Sequence, residues 1–134
     1  RAVAPEYKKA FNYLNKIQEK GDFVIVADGE QYLDYKEGVN YYSIDNWSWT
    51  TNIKDIKTKE QIDFSEFINK NNEQDIYFIG AKVYMIDRSI NYYLAKNCKN
   101  LGKEIKVNFC DYESDLYTES YGNEFTWPSL FLCN

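Results

Sequence analysis

The chain contains no histidine, one methionine, two prolines and only two arginines, Arg1 and Arg88. Without histidine the commonest general base is missing, and so is the imidazole half of any Cys/His metal site. Serine and cysteine nucleophile schemes fail for the same reason, since no imidazole is present to take their proton. Two arginines supply little bidentate clamping of phosphate. The net charge of −5 points the same way, because nucleic-acid affinity comes from clustered Lys and Arg, here scattered among acids. Nucleic acid is not an expected partner. No run approaches the roughly twenty apolar residues of a membrane-spanning helix, and no signal peptide is visible. Neither a G-x-G-x-x-G nor a P-loop occurs, so backbone amides that cradle phosphates are not evident. Carboxylates are plentiful, yet no pair can be placed at catalytic separation. No catalytic residue, metal site or cofactor is expected.

Aromatic residues are what the chain has in quantity: 18% of it, including thirteen tyrosines. A ring with a polar tip suits half-buried surfaces and interfaces. Together with abundant Lys, Asn and Ile, the tyrosines equally reflect an AT-rich genome. The 134 residues fit one domain, able to bury roughly two-thirds of its unfolded surface. Three cysteines, Cys98, Cys110 and Cys133, cannot all pair, and their spacing matches no zinc pattern. They read as buried thiols acting as small hydrophobes, with one disulfide left open. The chain begins at Arg1 rather than Met, and its only methionine is Met85. The expectation is a single domain, residues 1–134, excised from a longer protein whose missing part holds the chemistry, a membrane anchor or both.

Residues 5–20 read as a helix, opened by Pro5, with Tyr7, Ala10, Phe11, Leu14 and Ile17 on one face and Gly21 as the stop. Phe23–Ala27 is a continuous apolar run, the mark of a strand covered on both faces. A helical turn around 30–36, a strand over 39–44 and a long loop over 45–60 follow. A short helix through Asn71 leads to a second buried strand, Ile76–Gly80. Asp87 can cap a helix carrying Ile90, Tyr93, Leu94, Cys98 and Leu101. An edge-like strand at Ile105–Phe109 and a closing strand within Phe125–Cys133 complete the chain, with Tyr121–Asn123 as the turn between. This alternation predicts an α/β fold, a Rossmann-like three-layer sandwich with a mostly parallel sheet of about five strands and an antiparallel closing strand.

Asp28-Gly29 ends the first buried strand, where open parallel sheets hold their ligands, and an acid there can bind a hydroxyl. The plain alternative is a strand-ending turn. Trp47 and Trp49, with Tyr41 and Tyr42 upstream, form the densest aromatic cluster. Aromatic faces stack on sugar rings, and Asp45, Asn46 and Asn52 beside them can bond hydroxyls. The plain alternative is that the same residues pack on the core or dock against protein absent here. Arg88 at a helix start can bind an anion with the helix amides, or pair with a neighbouring acid.

Several of these features, in their order, resemble the soluble C-terminal domain of integral-membrane glycosyltransferases of the dolichyl-phosphate-mannose-protein mannosyltransferase type (GT-C). They are Pro5-Glu6-Tyr7-Lys8-Lys9-Ala10, then Gly21-Asp22-Phe23-Val24-Ile25-Val26, then Tyr41-Tyr42, then Ile76-Tyr77-Phe78-Ile79-Gly80. The resemblance implies a parent that moves a sugar from a lipid-phosphate donor, with its catalytic acid in a membrane portion that this chain lacks. It implies a non-catalytic, extracytoplasmic accessory domain whose partners are that membrane portion and a glycan or lipid-linked sugar. Two other readings stand beside it. One is a free-standing enzyme or binding domain that holds a nucleotide or sugar phosphate near Asp28 and Gly80. The other is a protein-interaction module using its exposed tyrosines.

Overall fold

The computed structural model describes residues 3–45, 48–80, 87–104 and 129–133. α1 (Val3–Ile17) buries Ala10, Phe11 and Leu14, three members of the stripe legible in the sequence. It is followed by Gly21, whose φ of 96° needs glycine and whose N–H donates to Gly38 O at 2.8 Å. β1 (Phe23–Asp28) then runs through the middle of the sheet with four consecutive buried residues. It lies parallel to β2 (Asn40–Ser43) on one side and to β5 (Ile76–Gly80) on the other. A 3-10 turn over Glu30–Tyr32 starts the connection from β1 to β2.

The predicted mostly parallel, five-stranded Rossmann-like sheet is not what forms. Among the described residues the sheet has seven strands, with β3 (Asn52–Asp55), β4 (Gln61–Asp63), β6 (Lys99–Asn100) and β7 (Ser129–Cys133) joining those above in the order β4-β3-β2-β1-β5-β7-β6. Only the two pairs that β1 makes are parallel. The other four pairs are antiparallel. The first cause is the 45–60 segment, which contains β3 (Asn52–Asp55) and leads to β4 (Gln61–Asp63), paired as a hairpin. Asp55 builds the connection: its Oδ1 accepts from Lys57 N and Thr58 N, and its carbonyl from Lys59 N, with Lys59 at φ 69°. A tight turn of this kind can only join antiparallel strands; a parallel partner needs a crossover. The second cause is at the C-terminal side, where β7 (Ser129–Cys133) returns antiparallel to β5 and carries the two-residue β6 (Lys99–Asn100) at the edge.

Side chains alternate across the central strands, and two cores result. Ile25, Phe78 and Phe131 face α2 (Phe64–Lys70) and α3 (Arg88–Asn97), meeting Phe67, Ile90 and Leu94. Val24, Val26, Ile79 and Leu130 face α1, meeting Phe11 and Leu14, and Leu101 of the single turn α4 (Leu101–Glu104) joins them. Asp63 and Asp87 cap α2 and α3 by accepting from backbone N–H groups of their first turns. α3 stops at Asn97, short of the predicted Leu101, because the chain turns out to form β6. There Cys98 is bonded to Cys133, so these two residues are not free thiols. The predicted strand at 105–109, the turn at 121–123 and residues 125–128 lie outside the described residues.

Candidate functional site

The carboxyl ends of β1 and β2 open into a cleft of about 480 Å³. Asp28 reaches it because Gly29 turns the chain sharply: its φ is 92°, and a β-carbon there would lie 2.8 Å from Phe11 Cζ. Only glycine lets the backbone pass so close to that ring. Asp28 is also in register with Gly80 of β5, beyond an irregularity between Val26 and Asp28. The chain leaves β1 on the α1 side and β5 leads to α3 on the other, so the switch point lies between β1 and β5, whereas the cleft is lined from β1, β2 and β3.

Three carboxylates, Asp28, Glu30 and Asp45, line the cleft. Ser43 and Thr50 add hydroxyls, Asn52 an amide, and Lys54 a cation. Asp28, Glu30 and Lys54 engage their side chains in no hydrogen bond or ion pair with another described residue. Such a set offers many acceptors and several donors with an excess of negative charge. It suits hydroxyl groups and opposes phosphate, which three nearby carboxylates would repel. Among the described residues no three of His, Cys, Asp and Glu are grouped to hold a metal ion.

Trp49 lies in sequence between Ser48 and Thr50, which line the cleft, but is not itself a lining residue. It is 49% exposed, and its φ of 55° puts a bulky side chain in the left-handed region. That conformation costs on the order of 1–3 kcal/mol and is found where surrounding structure or function holds it. Trp47 and Asn46 lie outside the described residues.

The two tyrosines sit elsewhere. Tyr41 turns toward the α1 side, where its hydroxyl donates to Gln18 Oε1 (2.7 Å) and accepts from Lys36 N (2.8 Å). Its neighbour Tyr42, pointing to the opposite face, packs on Phe67 at 4.9 Å and on Phe23 at 6.2 Å. Burial raises both phenols above their ordinary range. Tyr77, close to Asp22 and Asp75 as well as buried, is pushed up to about 12. None of these phenols is tuned toward neutral pH for proton transfer. Arg88 is exposed at the first turn of α3 and does not line the cleft.

Asp28, Asp45 and Asn52, which the sequence offers as parts of two separate candidates, line one cleft. Glu30, Ser43, Thr50 and Lys54 were not anticipated. Ser43 had a usable signal, since it ends a strand next to β1, but that strand's parallel pairing is not written in its four residues.

No protein-family model, curated protein or solved structure matches the chain. Among the described residues, no helix is long and apolar enough to cross a membrane.

Proposed function

We propose that this domain binds carbohydrate without transforming it, as an extracytoplasmic accessory module of an integral-membrane glycosyltransferase that uses a lipid-phosphate sugar donor. The observation that carries the reading is the cleft at the carboxyl ends of β1 and β2, where Asp28, Ser43, Asp45, Thr50 and Asn52 converge, with the exposed Trp49 next in sequence to the lining Thr50. Carboxylate, amide and hydroxyl groups match the alternating donors and acceptors of a sugar, and an indole offers a face for its C–H groups. Its acidic lining speaks for the sugar of an acceptor rather than the phosphate of the donor. It speaks equally against the nucleotide or sugar-phosphate reading. The Cys98–Cys133 bond supports an extracytoplasmic setting, because disulfides persist in oxidising compartments.

A glycan microarray probed with the purified domain tests the binding. Retention of one glycan class by the wild type, lost in Asp28→Ala and in Trp49→Ala, is the expected result. Equal signals from wild type and both variants contradict it. The parent gene tests the setting: several membrane-spanning helices are expected, and a single-pass or wholly soluble parent contradicts that half of the reading.

A further inference from the structure

We infer that the glycan held in this cleft is an internal stretch of a neutral linear chain, laid across strands β1 to β4 rather than along them. This rests on the carbohydrate reading above and adds the length, direction and charge of the ligand. One cross-strand row carries it. Val26 is paired with Ser43, Ser43 with Lys54 and Lys54 with Gln61, so four residues on four successive strands stand side by side. All four line the one cleft. Neighbouring strands lie about 4.8 Å apart, so the row spans about 14 Å, longer than a single pyranose ring.

The row faces the α1 side, because Val26 belongs to the core there. Alternation sends the neighbouring Ile44, Ile53 and Ile62 to the opposite face, where they join the core under α2. One row back along the strands the α1 face is apolar and covered: Tyr41 and Ile56 pack with the core that holds Leu33 and Val39. From Ser43 onward the same face turns polar, and Lys54 and Gln61 are exposed. Asp45 and Asn52, two positions further along β2 and β3, line the cleft as well. The polar face is therefore a trough that crosses the strands. The covered Tyr41–Ile56 row bounds it on one side, and Ser48 and Thr50 of the β2–β3 connection on the other. It ends at Gln61 on β4, and among the described residues no further strand closes that end.

Charge selects the occupant. Asp28, Glu30 and Asp45 outnumber Lys54 in the lining, which turns away uronate, sulfate and phosphate groups. Lys54, in the middle of the row, equally opposes a chain of protonated amino sugars. A neutral chain remains. Ser43, Asn52 and Gln61 offer it donors and acceptors on three successive strands, to meet hydroxyls that recur from ring to ring. A terminal sugar is recognised by a pocket closed around its last ring, whereas a trough open at an edge strand admits a chain that continues past it.

Calorimetric titration tests this with the methyl glycosides and linear tetrasaccharides of glucose, mannose, galactose and N-acetylglucosamine, and with the tetrasaccharides of glucosamine and galacturonic acid. For the neutral sugar that binds, the tetrasaccharide is expected to bind about tenfold tighter than the methyl glycoside, the effect of one or two added hydrogen bonds. Gln61→Ala should remove most of that gain and leave methyl glycoside binding unchanged, and Lys54→Ala should also weaken the tetrasaccharide. Both side chains are exposed, and circular dichroism verifies that the variants fold. Electrophoresis through gels containing the matching polysaccharide should retard the wild type, since internal stretches far outnumber chain ends. Four results each overturn the neutral chain and leave the sugar site standing: equal affinity of tetrasaccharide and methyl glycoside, a gain that survives Gln61→Ala, no retardation, or tighter binding of either charged tetrasaccharide. If none of these glycans binds, the chain is overturned, and the microarray decides whether the sugar site falls with it.

Discussion

Cys98 and Cys133 are bonded across a Cα–Cα distance of 4.5 Å, tying the end of α3 to the last residue of β7. The bond closes a loop spanning 35 positions in sequence. Restricting the unfolded chain by a loop of that length is worth about 4 kcal/mol. Reduction should therefore lower the urea midpoint, with a steeper slope because the reduced chain unfolds to a more expanded state. Thiol titration of the denatured, unreduced chain should find one thiol, the three cysteines less the bonded two. Three titratable thiols and no response to reductant would contradict the bond.

Gly29 and Asp28 are adjacent but should respond oppositely to substitution. Gly29→Ala meets both a left-handed backbone and the Phe11 ring, and roughly 3 kcal/mol of lost stability is expected. Asp28→Ala removes a side chain without a described partner, so stability should change by less than about 0.5 kcal/mol. Denaturant unfolding of the two variants checks this. A large loss for Asp28→Ala would mean that it is a structural turn residue, not a binding group.

Asp22 lies at the other end of β1, and its carboxyl is raised above the ordinary aspartate range. Burial is the main cause, and the carboxylates of Asp75 and Glu19 add to it, while the Glu19 N–H, 2.7 Å from Asp22 Oδ2, opposes it. The native chain thus holds this proton up to a higher pH than the unfolded chain does. Ionised Asp22 weighs against folding at neutral pH, and the cost disappears as pH falls through the raised native value. Asp22→Asn keeps an acceptor for Glu19 N and removes the charge. The variant should be more stable than the wild type at pH 7, with the difference shrinking on acidification. The Tyr77 phenol should also titrate below its native value of about 12, which ultraviolet absorbance can follow.

The β3–β4 connection gives a fourth expectation. Lys59 is exposed and adopts φ 69°, a conformation glycine takes without strain. Lys59→Gly should raise stability by about 0.5–1 kcal/mol. Lys59→Pro should lower it, because it forbids the positive φ and removes the N–H that donates to Asp55 O. If both substitutions are neutral, the hairpin is not formed as described.

That hairpin also marks the limit of what the sequence discloses. β1 and β5 are legible because they are covered on both faces and so appear as unbroken apolar runs. β3 buries only Ile53, and four residues with one apolar side chain carry no visible period. Its place in the sheet comes from pairing with β2, which has no local signature. The same contrast runs through the site. Asp28 and its glycine are readable as a strand end, and Asp45 and Asn52 as polar neighbours of tryptophan. Tyr41 and Tyr42 look like part of that cluster, yet neighbouring strand residues face opposite sides, and each is absorbed into a different core. The Cys98–Cys133 pairing depends on how β7 returns beside β6, which only the folded chain fixes.

The central claim is that the carboxyl ends of β1 and β2 hold a sugar. Amide-resolved NMR of the labelled domain, titrated with the glycan that the microarray selects, tests it most directly. The account predicts shift changes concentrated at Asp28, Ser43, Asp45, Thr50 and Asn52 and at the Trp49 indole, with saturation, and their loss in Asp28→Ala. Saturable changes confined to the opposite end of the sheet, around Tyr35 and Gly38, or no changes at all, would contradict it.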